Sequence, residues 1–238
     1  MNINTSLQAS FKNYIGPSIS SPQFCKDTLT VDFEMMKHKV IKLYCGKVER
    51  WFQAMDLYDR GITAHTLRVT ALSLELGRLL GLSQDQLVYI QFGTLLHDIG
   101  KLGIPDAILQ KPGKLTSKEF QVVKMHPLYA HDWISYRDDF SPAKVIPLYH
   151  HEKWNGTGYP FGLAGTNIPL LARVVAVVDV WDAITSDRPY RQAMSNSKAL
   201  RVIKSSAGKQ FDPDVVDAFL KLGVDKPRIV PYTEALVG

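Results

Sequence analysis

The sequence predicts an all-α bundle. Apolar residues recur at alternating spacings of three and four in one segment after another, no strand-like alternation persists anywhere, and caps or breakers close the periodic segments. With 238 residues and 45% hydrophobic content, one sizeable core is expected and a second is not.

Residues 1 to about 30 are rich in Ser, Asn and Pro without periodicity and read as a loose arm. Val31 to Tyr58 carries helical spacing through Val40, Leu43, Tyr44, Val48, Trp51, Phe52 and Met55. The expected division is therefore an arm and brace helix over 1–57 and a main domain over 58–238. The first segment is too short for a receiver or sensor domain, and a brace or homodimer contact is its expected role. Cys25 and Cys45 form neither a disulfide framework nor a CxxC cluster, which fits a reducing cytoplasm. No apolar stretch approaches bilayer length and the first residues lack a basic segment followed by a hydrophobic core, so a soluble cytoplasmic protein is expected.

From Ile62 to Leu80 the stripe Ile62, His65, Val69, Leu72, Leu76 and Leu79 marks one helix face, with Gly81 as its stop. Ser83 caps the next helix, which runs through Leu87, Ile90, Phe92 and Leu95 to His97-Asp98 before Gly100 ends it. Thr116-Ser117-Lys118-Glu119 has capping-box spacing and opens a short helix to Lys124, after which His126-Pro127 restarts the chain. Pro142 to Tyr149 is expected to be helical, with His150-His151 at its end. Four glycines and a proline make Asn155 to Asn167 a loop. Helix returns from Pro169 to Thr185, with Asp179 and Asp182 three apart on one face. Two more helices are expected at Ser195 to Ser206 and Pro213 to Leu222, before a polar tail.

Polar residues on apolar faces are the chemical signal. A lone histidine such as His65 is ordinarily a satisfied core residue, but here it has company. Asp98 ends an apolar helix and Asp179 follows the run Val174-Val175-Ala176-Val177-Val178, and burying either carboxylate is costly unless it is paired or metal-bound. His65, His97, Asp98, His126, His150, His151 and Asp179 make seven nitrogen and oxygen ligands without a thiolate. That set suits Fe, Mn, Ni, Zn or Co and excludes an iron–sulfur cluster. It exceeds one ion's needs, and two ions about 3.5–4 Å apart would use it well. A structural salt-bridge network is the bland alternative, for which neutral imidazoles are poor counter-ions.

His97-Asp98-Ile99-Gly100-Lys101, His126, His150-His151-Glu152, Gly158-Tyr159-Pro160, and Asp179 with Asp182 leading into Ser186-Asp187-Arg188-Pro189-Tyr190-Arg191 together resemble the HD-GYP group of the HD phosphohydrolase superfamily. The resemblance spans about Tyr58 to Phe219. It implies an HD-domain helical bundle with a dinuclear centre that hydrolyses cyclic dinucleotides, chiefly cyclic di-GMP and in some members 3′,3′-cyclic GMP-AMP. By that analogy Asp98 bridges the ions, His65, His97 and Asp179 complete one, and His126, His150 and His151 complete the other. Members with a third metal carry Glu one turn before the first histidine ligand. Gly61 stands there, so two divalent ions are expected, with iron, manganese or nickel foremost. Asn155, where many relatives have Asp, is a mild change inside a turn.

On this reading Asp98 and Lys101 are the catalytic candidates, Lys101 by neutralising a non-bridging phosphate oxygen. Arg188 and Arg191 are candidates for phosphate or guanine O6/N7, and Asp59 for the guanine amino group. For each of these three an ordinary solvated charge is the competing reading. The Gly-Tyr-Pro loop is expected to shape the site, and the family links it to a protein partner. Two other classes stay open, a catalytically idle cyclic dinucleotide sensor and another HD-type nucleotide phosphohydrolase. The net charge of +5 modestly favours anionic partners. The scattered basic residues suggest no nucleic-acid polymer, and no membrane partner is expected.

Overall fold

The computed structural model describes residues 62–135, 142–187 and 192–224. The expected arm and brace helix, the boundary at residue 57, both cysteines, Asp59, Gly61, Arg188, Arg191 and the C-terminal tail lie outside the described residues.

Among the described residues the secondary structure is helical apart from two isolated bridges, Asn155 with Ala164 and Ala207 with Phe211. Helix α1, Ile62–Leu79, ends before Gly81, which adopts φ +72°. Helix α2, Gln84–Leu96, starts from a reciprocal capping box in which the Ser83 hydroxyl accepts from the Gln86 amide and the Gln86 side chain accepts from the Ser83 amide. A 3-10 helix, Ile99–Gly103, follows directly, so the chain does not stop at Gly100 but tightens through it. Then come α3, Asp106–Leu109; α4, Ser117–Val123; α5, His126–Ser135; and α6, Val145–Tyr149. The helix expected from Pro142 is thus α-helical only in its last five residues, with a 3-10 turn over 142–144. Helix α7, Leu170–Thr185, α8, Asn196–Ser205, and α9, Pro213–Lys221, complete the described chain.

Helix α7 is the centre of the bundle. Val174, Val175, Val177 and Val178 are all fully buried, the pattern of a helix covered on every side. Around it pack Val69 and Leu76 of α1, Ile90 of α2, Ile146 of α6, Ile203 of α8 and Phe219 of α9. Leu79, last in the α1 stripe, is exposed, so the apolar stripe outruns the face that is covered. A second cluster of Leu96, Ile99, Ala130 and Ile134, with Leu102 against it, ties the 3-10 segment to α5. The two clusters carry the ends of α1, α2, α5, α6 and α7, where the polar residues gather. No helix among the described residues is long and apolar enough to cross a membrane.

Candidate metal centre

Five helices deliver the seven expected ligands to one place. Asp98, His126, His150 and His151 each present a ligand atom within 4.8 Å of the others, and so do His65, His97 and Asp98. Asp98 belongs to both groups. Its Oδ2 lies 3.4 Å from His97 Nε2, while its Oδ1 lies 3.5 Å from His126 Nε2. One carboxylate oxygen therefore turns to each half. Asp179 joins the first half, with Oδ1 3.2 Å from His65 Nε2.

The histidine tautomers follow from the backbone. His97 Nδ1 is 2.6 Å from the Thr94 carbonyl, His126 Nδ1 is 2.8 Å from that of Val123, and His150 Nδ1 is 3.0 Å from that of Pro147. A carbonyl only accepts, so each Nδ1 carries the proton and donates. In the neutral ring Nε2 is then the nitrogen with the lone pair. The Nε2 atoms of His97, His126 and His150 are buried and have no hydrogen-bond partner, a loss of about 1–3 kcal/mol apiece if nothing electrophilic meets them. The rings converge, with His150 and His151 centroids 4.0 Å apart and His126 and His151 5.0 Å apart.

Protons are poor occupants of that space. Burial, with the neighbouring His126 ring, pushes His151 down to about 3. Burial and the surrounding imidazoles also hold His150 well below its ordinary value, and burial lowers His126. Burial opposes ionisation of Asp98, but the Lys101 ammonium beside it outweighs that and keeps the carboxyl well below the usual range. Neutral imidazoles facing ionised carboxylates form a donor set suited to divalent cations, and the residues fit such a group. Lys101 sits beside them, its Nζ donating to Asp98 Oδ2 at 2.7 Å.

His65 differs from its neighbours. Its Nδ1 is 2.7 Å from Asp182 Oδ2, a buried carboxylate that also accepts from Arg68 Nε at 2.6 Å and Nη2 at 2.9 Å. Burial disfavours charge on His65, yet hydrogen bonds to Asp179 and Asp182 raise it to about 9. Two helical i, i+3 pairs create this contact, His65 with Arg68 on α1 and Asp179 with Asp182 on α7. Sequence reasoning placed Asp182 on the face of Asp179 but missed its bond to His65 and missed Arg68 altogether. The signal was available, because Arg68 follows His65 by the spacing that separates the two aspartates.

Glu152 is the other side chain whose role was not read. It is buried, and its carboxylate accepts from the Phe161, Gly162 and Leu163 amides at 2.8, 3.1 and 3.0 Å. The adjacent-histidine motif thus ends in a residue that pins the Gly158-Tyr159-Pro160 loop. A β-carbon at Gly158 would meet the Glu152 backbone, 2.6 Å from its carbonyl carbon, so the loop passes too close for another residue. Tyr159 then stacks on His151 with ring centroids 4.7 Å apart.

The profile of the HD domain family matches residues 52–215. The cyclic di-GMP phosphodiesterase response regulator RpfG of Xanthomonas campestris pv. campestris is 40% identical over 176 residues, 73% of this chain and 47% of that protein. The 3'3'-cGAMP-specific phosphodiesterase 2 of Vibrio cholerae is 35% identical over 170 residues, 71% of this chain and 33% of that protein. The chain therefore spans less than half the length of either relative. Among solved structures, Bd1817, an HDG"Y"P protein from Bdellovibrio bacteriovorus, superposes with a TM-score of 0.58 at 19% identity, covering 91% of this chain and 70% of that one.

Proposed function

Because this chain belongs to the HD domain family, and within it to the HD-GYP group, we propose that it is a metal-dependent phosphodiesterase acting on a guanine-containing cyclic dinucleotide. Cyclic di-GMP and 3′,3′-cyclic GMP-AMP are the two substrates the relatives' names support. Hydrolysis gives the linear dinucleotide, and a second cleavage of that product would give mononucleotides. The observation that carries the reading is the set of three buried, unpaired Nε2 atoms around a carboxylate shared by both halves of the site.

In this reading His65, His97, Asp98 and Asp179 hold one divalent ion, and Asp98, His126, His150 and His151 hold the other. When bound, such ions activate water and offset the negative charge that develops on the phosphoryl oxygens. The chain's own groups do the remaining work. The backbone carbonyls behind His97, His126 and His150 keep their lone pairs aimed at the centre. Lys101 Nζ, beside the shared carboxylate, holds a non-bridging phosphate oxygen. Tyr159, stacked on His151, walls that side against bulk water, and its phenol stays neutral because burial and the charges of Asp98 and Asp179 push its ionisation upward. Asp59, Arg188 and Arg191 remain the proposed contacts to guanine and phosphate.

The test is a product assay on Mn²⁺- and Fe²⁺-loaded protein with cyclic di-GMP, cyclic GMP-AMP and cyclic di-AMP. Turnover of one or both guanine-containing substrates, with cyclic di-AMP poor, is expected, since a site that hydrogen-bonds a base rejects one lacking the matching groups. Tight binding without turnover would instead identify a sensor. Comparable rates on all three substrates would remove guanine recognition from the proposal.

A further inference from the structure

We infer that Asp182 and Arg68 are positioning residues that make the two halves of the centre unequal, so that the first divalent ion loads on the His65 side. The inference rests on reading the cluster as a two-ion centre and adds an order of loading to it.

The asymmetry is visible in what stands behind each imidazole. His97, His126 and His150 rest their Nδ1 on neutral backbone carbonyls, whereas His65 rests its Nδ1 on the Asp182 carboxylate at 2.7 Å. A carboxylate accepting from Nδ1–H makes the opposite nitrogen, once an ion has displaced its proton, a stronger donor than an amide carbonyl does. That nitrogen, His65 Nε2, faces Asp179 Oδ1 at 3.2 Å. The His65 half thus contains Asp179 in addition to the shared Asp98, with a third carboxylate behind it. The other half contains three imidazoles and only the shared carboxylate.

Arg68 fixes the arrangement without cancelling it. Its Nε and Nη2 grip both oxygens of Asp182, and Nη2 also donates to Ser186 Oγ at 3.1 Å, so Asp182 cannot swing away from His65. The Arg68 side chain is 50% exposed while Asp182 is 9% exposed. Water therefore screens the guanidinium more than it screens the carboxylate, so Arg68 offsets only part of the Asp182 charge. Both residues act through His65, since neither belongs to the groups of ligand atoms around Asp98.

The experiment is a calorimetric Mn²⁺ titration of chelator-stripped protein, comparing the full chain with Asp182→Asn, Arg68→Ala, Arg68→Lys and His126→Ala. The wild type is expected to bind in two steps. Asp182→Asn should weaken the tighter step about 10- to 100-fold and leave the weaker step within about twofold. Arg68→Ala, which leaves every ligand in place, should weaken the same step by a smaller factor, and Arg68→Lys should restore part of it. His126→Ala should remove the weaker step alone. If Asp182→Asn fails to fold by circular dichroism, the Arg68 pair carries the test. Two steps indifferent to both Asp182 and Arg68, or loss of the step that His126→Ala removes, would overturn the inference and leave the metal-centre reading intact. A wild type that binds no Mn²⁺, or one ion only, would overturn both.

Discussion

Gly100 presses its α-carbon against the backbone of His126, so closely that a β-carbon would collide with the His126 carbonyl oxygen and stand 2.7 Å from the Ala130 nitrogen. The 3-10 segment that begins after Asp98 and the first turn of α5 therefore touch backbone to backbone. That contact brings Asp98 Oδ1 to 3.5 Å from His126 Nε2, and it joins the residue shared by both groups to the first histidine of the second.

Replacing Gly100 with Ala should consequently act on stability and on the site together. Backbone atoms cannot rotate away as a side-chain tip can, so the clash costs at least the ~3 kcal/mol at the upper end of ordinary overpacking. Thermal unfolding should show a large drop in Tm, and metal analysis of the surviving folded protein should show impaired loading. A variant with wild-type Tm and metal content would contradict the close approach.

The role of Gly100 shows what the sequence could and could not disclose. Apolar periodicity located α1, α2 and α7 nearly to the residue, because each buries a stripe and the stripe is written in the spacing. Ser83 and Thr116 were legible as caps because a capping box is local chemistry, and both boxes close reciprocally. Gly100 looked like a helix stop, since a glycine ending a pattern usually is one. Its actual constraint comes from His126, twenty-six positions away, and no local signal carries that. The gathering of His65, His97, Asp98, His126, His150, His151 and Asp179 was legible because buried His and Asp need partners. Arg68 and Glu152 were not, because charged residues near helix ends and loops look like solvated surface until the fold places a carboxylate or three amides opposite them.

Glu152→Gln should loosen the loop without unfolding the bundle. The carboxylate accepts from three amides, and an amide side chain can replace only part of that while turning donors toward donors. A loss of about 2 kcal/mol is expected from weakening charged hydrogen bonds in a buried setting. Hydrogen exchange should accelerate over residues 157–163 while amides of α7 stay protected. Equal acceleration in α7 would mean that Glu152 supports the whole fold.

Glu119 should give helix α4 an acid-sensitive anchor. Hydrogen bonds from Lys111 and from the Thr116 amide hold its carboxyl at about 2, below the ordinary value of 4.5. Because the folded value is the lower one, the stabilisation is fully present above about 4.5 and fades as the pH falls toward 2. Amide exchange in α4 should be faster in Glu119→Gln than in the wild type at neutral pH, with the gap narrowing through that window. A gap that stays constant down to pH 2 would detach the effect from this carboxylate.

Asp98→Asn tests the sharing of one side chain between two halves. Asn offers one carbonyl oxygen where Asp98 turns Oδ2 toward His97 and Oδ1 toward His126, so a single substitution should weaken both halves at once. Anaerobically purified wild type should approach two transition-metal ions per chain, and the variant should fall below one, with helical content largely unchanged. Hydrolysis should fall on the order of 10³-fold or more, which is what losing several kcal/mol of transition-state stabilisation amounts to. Stripping the wild type with a chelator should abolish turnover, and Mn²⁺ should restore it. In the variant, Mn²⁺ at the same concentration should restore little, because the shared oxygen is gone rather than the metal. A variant that keeps two ions per chain would show that Asp98 joins only one half. A wild type with a reproducible count of three would show that a ligand outside the seven named here completes a third site.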